Sequence, residues 1–323
     1  MKIKTSTLGA ALLSAAATLF APYPLQACGG FFPASLDKPT QQSGVRAVLF
    51  RDGKHLEVHA TVSYDGPAEG FAWLIPVPSV PEIRPSSDLL FFGLDEISRP
   101  VFDGRLSGGS AQTDNEYACM DIALARQCPH HSTLWPAGKV KAGNNSAAVH
   151  VVQASTVGPF ETATLQAKSA GDLATWLTKN GYKVTPGSEP LLQSYLDRGH
   201  VFVALRLSPG QGTGDLVPIS LRFEDPATCL PLRLASLTAK GHIPVVVWVI
   251  GEGTAFPRNG LVASLNRGRI NPANPYSNYG ATLQSAIEAS GNGAWVIESS
   301  RELSYDGVGD TFDYSATGRF IED

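Results

Sequence analysis

VRAVLFRDGKHLEVHATVSYDGPAEGFAWLIPVP, residues 45–78, carries the pattern that decides the fold. Residues 45–50 and 56–64 are apolar-rich runs separated by Arg51-Asp52-Gly53-Lys54, and Asp-Gly between two such runs is a hairpin signal. In the second run Leu56, Val58, Ala60 and Val62 alternate with Glu57, His59, Thr61 and Ser63. One face of that strand is therefore core and the other wet, which aims His59 at solvent or a groove. Asp65-Gly66-Pro67 makes a second turn. Residues 71–75, Phe-Ala-Trp-Leu-Ile, are apolar on both faces, as in a strand buried at the centre of a sheet. Pro76, Pro78 and Pro81 end it, because proline donates no ladder hydrogen bond. Three strands in succession predict an antiparallel meander.

Working outward, residues 86–97 read as a short helix capped by Ser86 or Ser87, with Leu89, Leu90, Phe92 and Leu94 as its apolar part. Residues 108–145 show little periodicity and contain Cys119 and Cys128. They read as an insertion at about residues 105–147, and a loop of that length is a place to expect a partner-binding surface. Strands at 150–154 and 161–167 flank Gly158-Pro159. Asp172 caps a helix through Leu173, Trp176 and Leu177 that Asn180-Gly181 ends, and a second helix covers 188–198. Further strands are expected at 201–207, 216–223, 230–237 and 243–250. After these come an ordered loop over 259–279, a helix at 281–289, a strand at 294–297 and a loose polar tail over 304–323. Strands, a helical pair, then strands again predict an α+β fold: a mainly antiparallel sheet, a few packed helices and the long cysteine-bearing insertion. Residues 28–303 form one domain on this reading.

The amino terminus gives the compartment. Lys2 and Lys4 precede a small, apolar run over residues 8–21, the break Pro22-Tyr23-Pro24, and Leu25-Gln26-Ala27-Cys28. That is the order of a secretory signal peptide, residues 1–27, and it predicts export with Cys28 first in the mature chain. The run is too short to span a bilayer. Cleavage removes two lysines and takes the net charge from −4 to −6. A mildly acidic chain without a basic block argues against nucleic acid as a partner. Apolar residues at 43% argue for a packed core, and 32 Gly with 23 Pro predict many turns between short elements.

Export places the four cysteines, Cys28, Cys119, Cys128 and Cys229, where disulfides persist. Three full pairings exist. The short Cys119–Cys128 loop is the easiest to close, leaving Cys229 to pair with Cys28 or stay free. Cys28 supports three readings. It is an ordinary disulfide cysteine, or the lipid attachment site of a lipobox-like Leu25-Gln26-Ala27-Cys28, or an amino-terminal nucleophile whose own α-amine acts as base. Cys128-Pro129-His130-His131 has the ligand chemistry of a Zn or Cu site. Its Cys-x8-Cys spacing and adjacent histidines suit a disulfide with two exposed histidines better.

Four segments resemble the DUF2330 family, bacterial exported proteins of unknown function. They are Ala27-Cys28-Gly29-Gly30-Phe31-Phe32; Phe71-Ala72-Trp73-Leu74-Ile75-Pro76-Val77-Pro78; residues 173–182 with Trp176-Leu177 and Asn180-Gly181-Tyr182; and Pro231-Leu232-Arg233-Leu234. The resemblance implies export and a shared fold and supplies no activity. Physically, Gly29-Gly30 permits backbone geometry that a side chain forbids, and Phe31-Phe32 should bury and fasten the mature terminus.

No Gly-x-Ser-x-Gly elbow, His-Glu-x-x-His or Walker loop occurs, and no cofactor is implied. Gly210-Gln211-Gly212-Thr213-Gly214 lacks the Lys-Ser/Thr of a phosphate cradle. Trp73, Trp176 and Trp248 sit in core-like surroundings, whereas Trp135, between Leu134 and Pro136, is the candidate exposed aromatic for binding. The resulting expectation is an exported cell-envelope protein, a non-enzymatic binding or structural module. Its partner would be an envelope protein or glycan, and it would touch membrane only through a lipid at Cys28. The alternative is a secreted, hydrolase-like enzyme whose site is assembled from distant residues, with Cys28 as one candidate nucleophile.

Overall fold

A computed structural model of the protein describes residues 29–37, 39–66, 71–100, 102, 148–209, 216–224, 230–239, 241–257, 260–291, 294–302 and 319–322. Strand β1 (Gly30–Pro33) comes first, then the decisive stretch as β2 (Gln41–Asp52), β3 (His55–Asp65) and β4 (Phe71–Val77). Strands β2 and β3 form the expected hairpin around Gly53, whose φ is +52°. Val45, Ala47 and Leu49 stand opposite Val62, Ala60 and Val58 on one face.

The third strand does not continue the meander. β4 leaves for a second sheet, where it pairs antiparallel with β1 and with β8 (Val201–Leu207). Every residue of β4 is buried, so it needs cover on both faces, which the exposed end of a hairpin sheet cannot supply. The open side of β3 is taken instead by β9 (Ile219–Phe223), and β9 in turn pairs with β5 (Glu82–Pro85).

Helix α1 (Asp88–Ser98) follows β5, and its cap is Ser87, whose Oγ accepts from the Leu89 N–H. The hairpin of β6 (Val149–Val157) and β7 (Phe160–Ala167) leads to α2 (Ala170–Lys179) and α3 (Ser188–Leu196). β10 (Val245–Gly251) pairs parallel with β2. β11 (Leu261–Val262), α4 (Tyr279–Ser290) and β12 (Ala294–Trp295) form a small satellite with its own apolar cluster. β13 (Ser299–Glu302) and β14 (Arg319–Glu322) complete the edge beyond β10. β14 lies in the segment read as a polar tail.

The fold class is α+β, with mainly antiparallel sheets of order β1-β4-β8-β7-β6 and β13-β14-β10-β2-β3-β9-β5. The sheets face one another across a core that includes Phe31, Trp73, Val203, Ala47, Leu221 and Val247. Helices α2 and α3 cover part of the five-stranded sheet's outer face. Helix α1 covers part of the other sheet's outer face through Phe91 and Leu94, packed on Val48 and Trp248.

Two local expectations change. Residues 230–237 form no strand; Leu232–Leu237 is a 3-10 helix. Its tighter period sends Leu232 and Ala235 into the core between the sheets and Leu234 into the core under α2. His59 does not face solvent. It is 5% exposed, because α1 and the chain entering it roof this part of the sheet's outer face.

The expected burial of Phe31 and Phe32 holds, both being fully covered. Each contributes about 2 kcal/mol of apolar burial. They face opposite ways, Phe31 between the sheets and Phe32 under α2.

Candidate ligand-binding groove

The covering of the five-stranded sheet is incomplete. Helix α2 buries Leu173, Ala174 and Leu177, and beyond its carboxyl end the sheet lies open. There the outward positions carry the smallest side chains. Ala154 of β6 stands opposite Ala163 of β7, which stands opposite Ala204 of β8. These three alanines floor a groove of about 390 Å³, within the ordinary range of small-molecule sites. One rung further along the same face, Thr156, Glu161 and Arg206 stand opposite one another.

The walls come from how α2 begins and ends. Ser169, not Asp172, caps the helix: its Oγ accepts from the Asp172 N–H at 3.1 Å and donates to Asp172 Oδ2 at 2.7 Å, which fixes the first turn. At the far end Gly181 has φ +90°, and the Tyr182 N–H returns to Leu177 O at 3.0 Å. That closure delivers Tyr182 to the groove. Asn180 Nδ2 donates to Trp176 O at 2.8 Å and holds the amide at the lip. Trp176 lies one position off the buried stripe of α2, so it is half-buried and lines the groove instead of filling the core.

Arg206 Nε and Nη2 donate to Glu161 Oε2 at 2.8 and 2.6 Å. The Glu161 bonds raise the guanidinium's proton affinity above its ordinary value; burial opposes this, and a bond with the Tyr182 side chain adds to the rise. Both partners are partly exposed, so the pair matters for charge balance and orientation more than for stability. Glu161 is the one carboxylate among the residues lining the groove.

A second polar cluster lies on the outer face of the seven-stranded sheet. His59 Nδ1 is 2.6 Å from Ser86 Oγ, and Nε2 is 3.4 Å from Glu57 Oε1. Ser220 Oγ donates to the same carboxylate oxygen at 2.6 Å, with Arg222 Nη1 at 4.0 Å from the other. Burial lowers the His59 pKa below its ordinary value, and the Glu57 charge opposes the shift. Hydroxyl, imidazole and carboxylate thus stand in the order of a nucleophile, base and acid, with the Ser86 contact a hydrogen bond and the buried Nε2 near Glu57 without a hydrogen-bond partner.

The four segments that carried the resemblance meet at one place. Residues 30–33 pair with 71–74 in β1 and β4. The Gly29 N–H donates to Pro231 O at 2.9 Å, and the Lys183 N–H to Pro33 O at 2.7 Å. Phe32, Leu74, Leu173, Tyr182 and Leu234 share one buried cluster. A family model described as an uncharacterized protein conserved in bacteria, DUF2330, matches residues 23–289. The chain belongs to the DUF2330 family. No curated protein matches, and no solved structure does. The span matched to DUF2330 contains every residue of the groove and of the His59 cluster.

The sequence-derived candidates Cys28, Cys119, Cys128, Cys229, His130, His131 and Trp135 lie outside the described residues. Among the described residues, no helix is long and apolar enough to cross a membrane. Sequence reasoning missed the groove and the His59 cluster. The available signal was the alternation in residues 154–163 and 202–206, which places alanines on one side of each strand.

Proposed function

We propose that this DUF2330 protein is an exported cell-envelope binding module that holds its ligand in the groove without transforming it. The observation that carries this reading is the alanine floor at Ala154, Ala163 and Ala204, walled by Trp176 and Tyr182 and edged by a compensated Glu161–Arg206 pair. An apolar floor with a few placed polar groups is what a small-ligand site requires. The one carboxylate lining the groove is tied to Arg206, which suits it to holding a ligand's hydroxyls better than to taking up a proton as a free general base. Export rests on Lys2, Lys4, the apolar run and Cys28.

Two measurements test it. Intact mass of the chain recovered from a bacterial host, before and after reduction and alkylation, reads cleavage before Cys28, lipid attachment and thiol state together. An uncleaved chain removes the export reading. Thermal melting against a panel of soluble envelope components, oligosaccharides and short peptides, reads binding, and a panel that moves the melting temperature of wild type and Trp176→Ala equally removes the groove.

The Ser86–His59–Glu57 alignment favours one second reading, a secreted hydrolase acting through Ser86. A fluorophosphonate probe decides it: labelling that Ser86→Ala abolishes would support the hydrolase, and an unlabelled folded protein would sink it.

A further inference from the structure

Resting on the binding-module reading, we infer that the groove takes a neutral, linear glycan, one sugar ring lying against Trp176 over the alanine floor and its hydroxyls meeting Glu161 and Arg206.

Charge comes first. Glu161 and Arg206 are the charged residues lining the groove, and they are bonded to each other. An anion entering would find the guanidinium already compensated, and a cation would find the carboxylate spent. A ligand rich in hydroxyls but without net charge loses nothing to this pair, because it can donate to Glu161 and accept from Arg206 at once.

Shape agrees. Three adjoining strands spaced about 4.8 Å apart make the alanine floor roughly 10 Å wide. That is flat ground for a ring, not a slot for a branched side chain. A pyranose presents C–H groups on its faces and hydroxyls around its edge, so it needs an apolar wall beside donors and acceptors. Trp176 is the half-buried aromatic wall, and the Asn180 amide with the Arg206 guanidinium lies at the edge.

Position argues for a chain over a single sugar, and against a peptide. Ala154 and Thr156 belong to β6, the edge strand, so a polymer can continue past the groove. An extended peptide gains affinity from unpaired ladder groups at a sheet edge. The groove lies on the sheet's face, where Ala154 and Thr156 of β6 pair in register with Ala163 and Glu161 of β7, and these with Ala204 and Arg206 of β8.

The test titrates the purified full chain with β-1,4-linked tetramers of glucose and of N-acetylglucosamine. Tetragalacturonate and an uncharged tetrapeptide serve as comparisons, and calorimetry reads binding. The expected result is binding of a neutral tetramer, unchanged by added salt, weakened roughly tenfold or more by Trp176→Ala. Ala163→Leu, which fills the floor from the strand side, should do the same and guards against misfolding of the tryptophan variant. Glu161→Gln frees the Arg206 charge and should create affinity for tetragalacturonate that wild type lacks. Wild-type binding of the galacturonate or the peptide, sensitive to both groove variants, would overturn the neutral-glycan inference and leave the groove standing. Neutral-glycan binding indifferent to both variants would overturn the location. Binding of none of the four probes overturns the inference.

Discussion

His59 Nδ1 and Ser86 Oγ lie 2.6 Å apart, joining the middle of β3 to the last turn of chain before α1. The backbone strengthens the same junction, because the Ser86 N–H donates to Pro218 O at 2.7 Å. The imidazole packs edge-on against Phe50, with ring centroids 5.3 Å apart. With Glu57 Oε1 facing Nε2, the tautomer that suits both neighbours carries its proton on Nε2 and accepts from Ser86 at Nδ1. A strand read as wet on this face thus holds a buried, neutral histidine that fastens a helix.

That arrangement sets a pH dependence. Burial holds the folded His59 pKa below its ordinary value, with Glu57 opposing. Above about pH 6.5 the ring is neutral in both states. As pH falls below that, the unfolded chain takes up a proton that the folded chain resists, so stability falls until the folded pKa is reached. The groups facing the ring are Glu57, Ser86 and Phe50, with Ser220 and Arg222 around Glu57. Asp88 and Asp95 have raised values, mainly from burial, and act with the opposite sign nearer the carboxylate range. Urea denaturation of wild type and His59→Gln between about pH 8 and 5.5 should show a loss in wild type that the variant lacks. Parallel curves would refute the assignment.

Ser86→Ala removes the hydroxyl and leaves Nδ1 buried without its partner. A buried acceptor so orphaned costs about 1–3 kcal/mol. Ser87→Ala, one residue on, removes only the cap that accepts from the Leu89 N–H and should cost about 1 kcal/mol. The two adjacent serines therefore predict different midpoints in the same denaturant series, Ser86→Ala lower. Equal midpoints would mean that the His59 contact contributes little.

What was legible in the sequence was local. The Asp52-Gly53 turn, the alternation along β3, the doubly apolar β4, the α1 boundary at Ser87 and the burial of Phe31-Phe32 each depend on residues close in the chain. What was not legible depends on register between distant strands. β4 reads as a third meander strand, because nothing local says that its neighbours are residues 30–33 and 201–205. Glu161 and Arg206 are 45 residues apart, and their pairing follows only once β7 and β8 are set side by side. The same register turns three unremarkable alanines into a floor. Trp176 looked like core because its neighbours are apolar, but the α2 stripe runs through Leu173 and Leu177 and leaves it at the margin.

Gly30 makes the tightest of the close approaches in the chain around β1. A Cβ there would lie 2.5 Å from Leu234 O and 2.7 Å from Leu234 Cβ, so β1 or the 3-10 helix would have to move. Overpacking of this kind costs about 1–3 kcal/mol. Gly53→Ala is the comparison. Its Cβ would meet nothing within 4 Å, and its φ of +52° adds only the left-handed strain of about 1 kcal/mol. Gly30→Ala should therefore unfold at lower denaturant than Gly53→Ala, and the reverse order would mean that β1 shifts freely.

Trp248 tests how firmly α1 is held on the seven-stranded sheet. Its side chain is fully buried, and its Nε1–H donates to Ser98 Oγ at 3.0 Å. Ser98 in turn donates to Leu94 O at 2.6 Å, so one hydroxyl satisfies the indole and closes the last turn of the helix. Phe91 meets the indole edge-on at 6.1 Å, and the Arg46 guanidinium lies 5.1 Å from the ring while pairing with Asp95. Ser98→Ala strands the indole N–H in an apolar cluster and should cost about 1–3 kcal/mol. Trp248→Phe removes the orphan along with the donor but leaves a void, for a similar cost by a different route. The double variant separates them. With the donor gone, Ser98→Ala should add much less to Trp248→Phe than it costs alone, a coupling of at least about 1 kcal/mol in a double-mutant cycle. Strict additivity would show that the indole bond contributes nothing to holding α1 on the sheet.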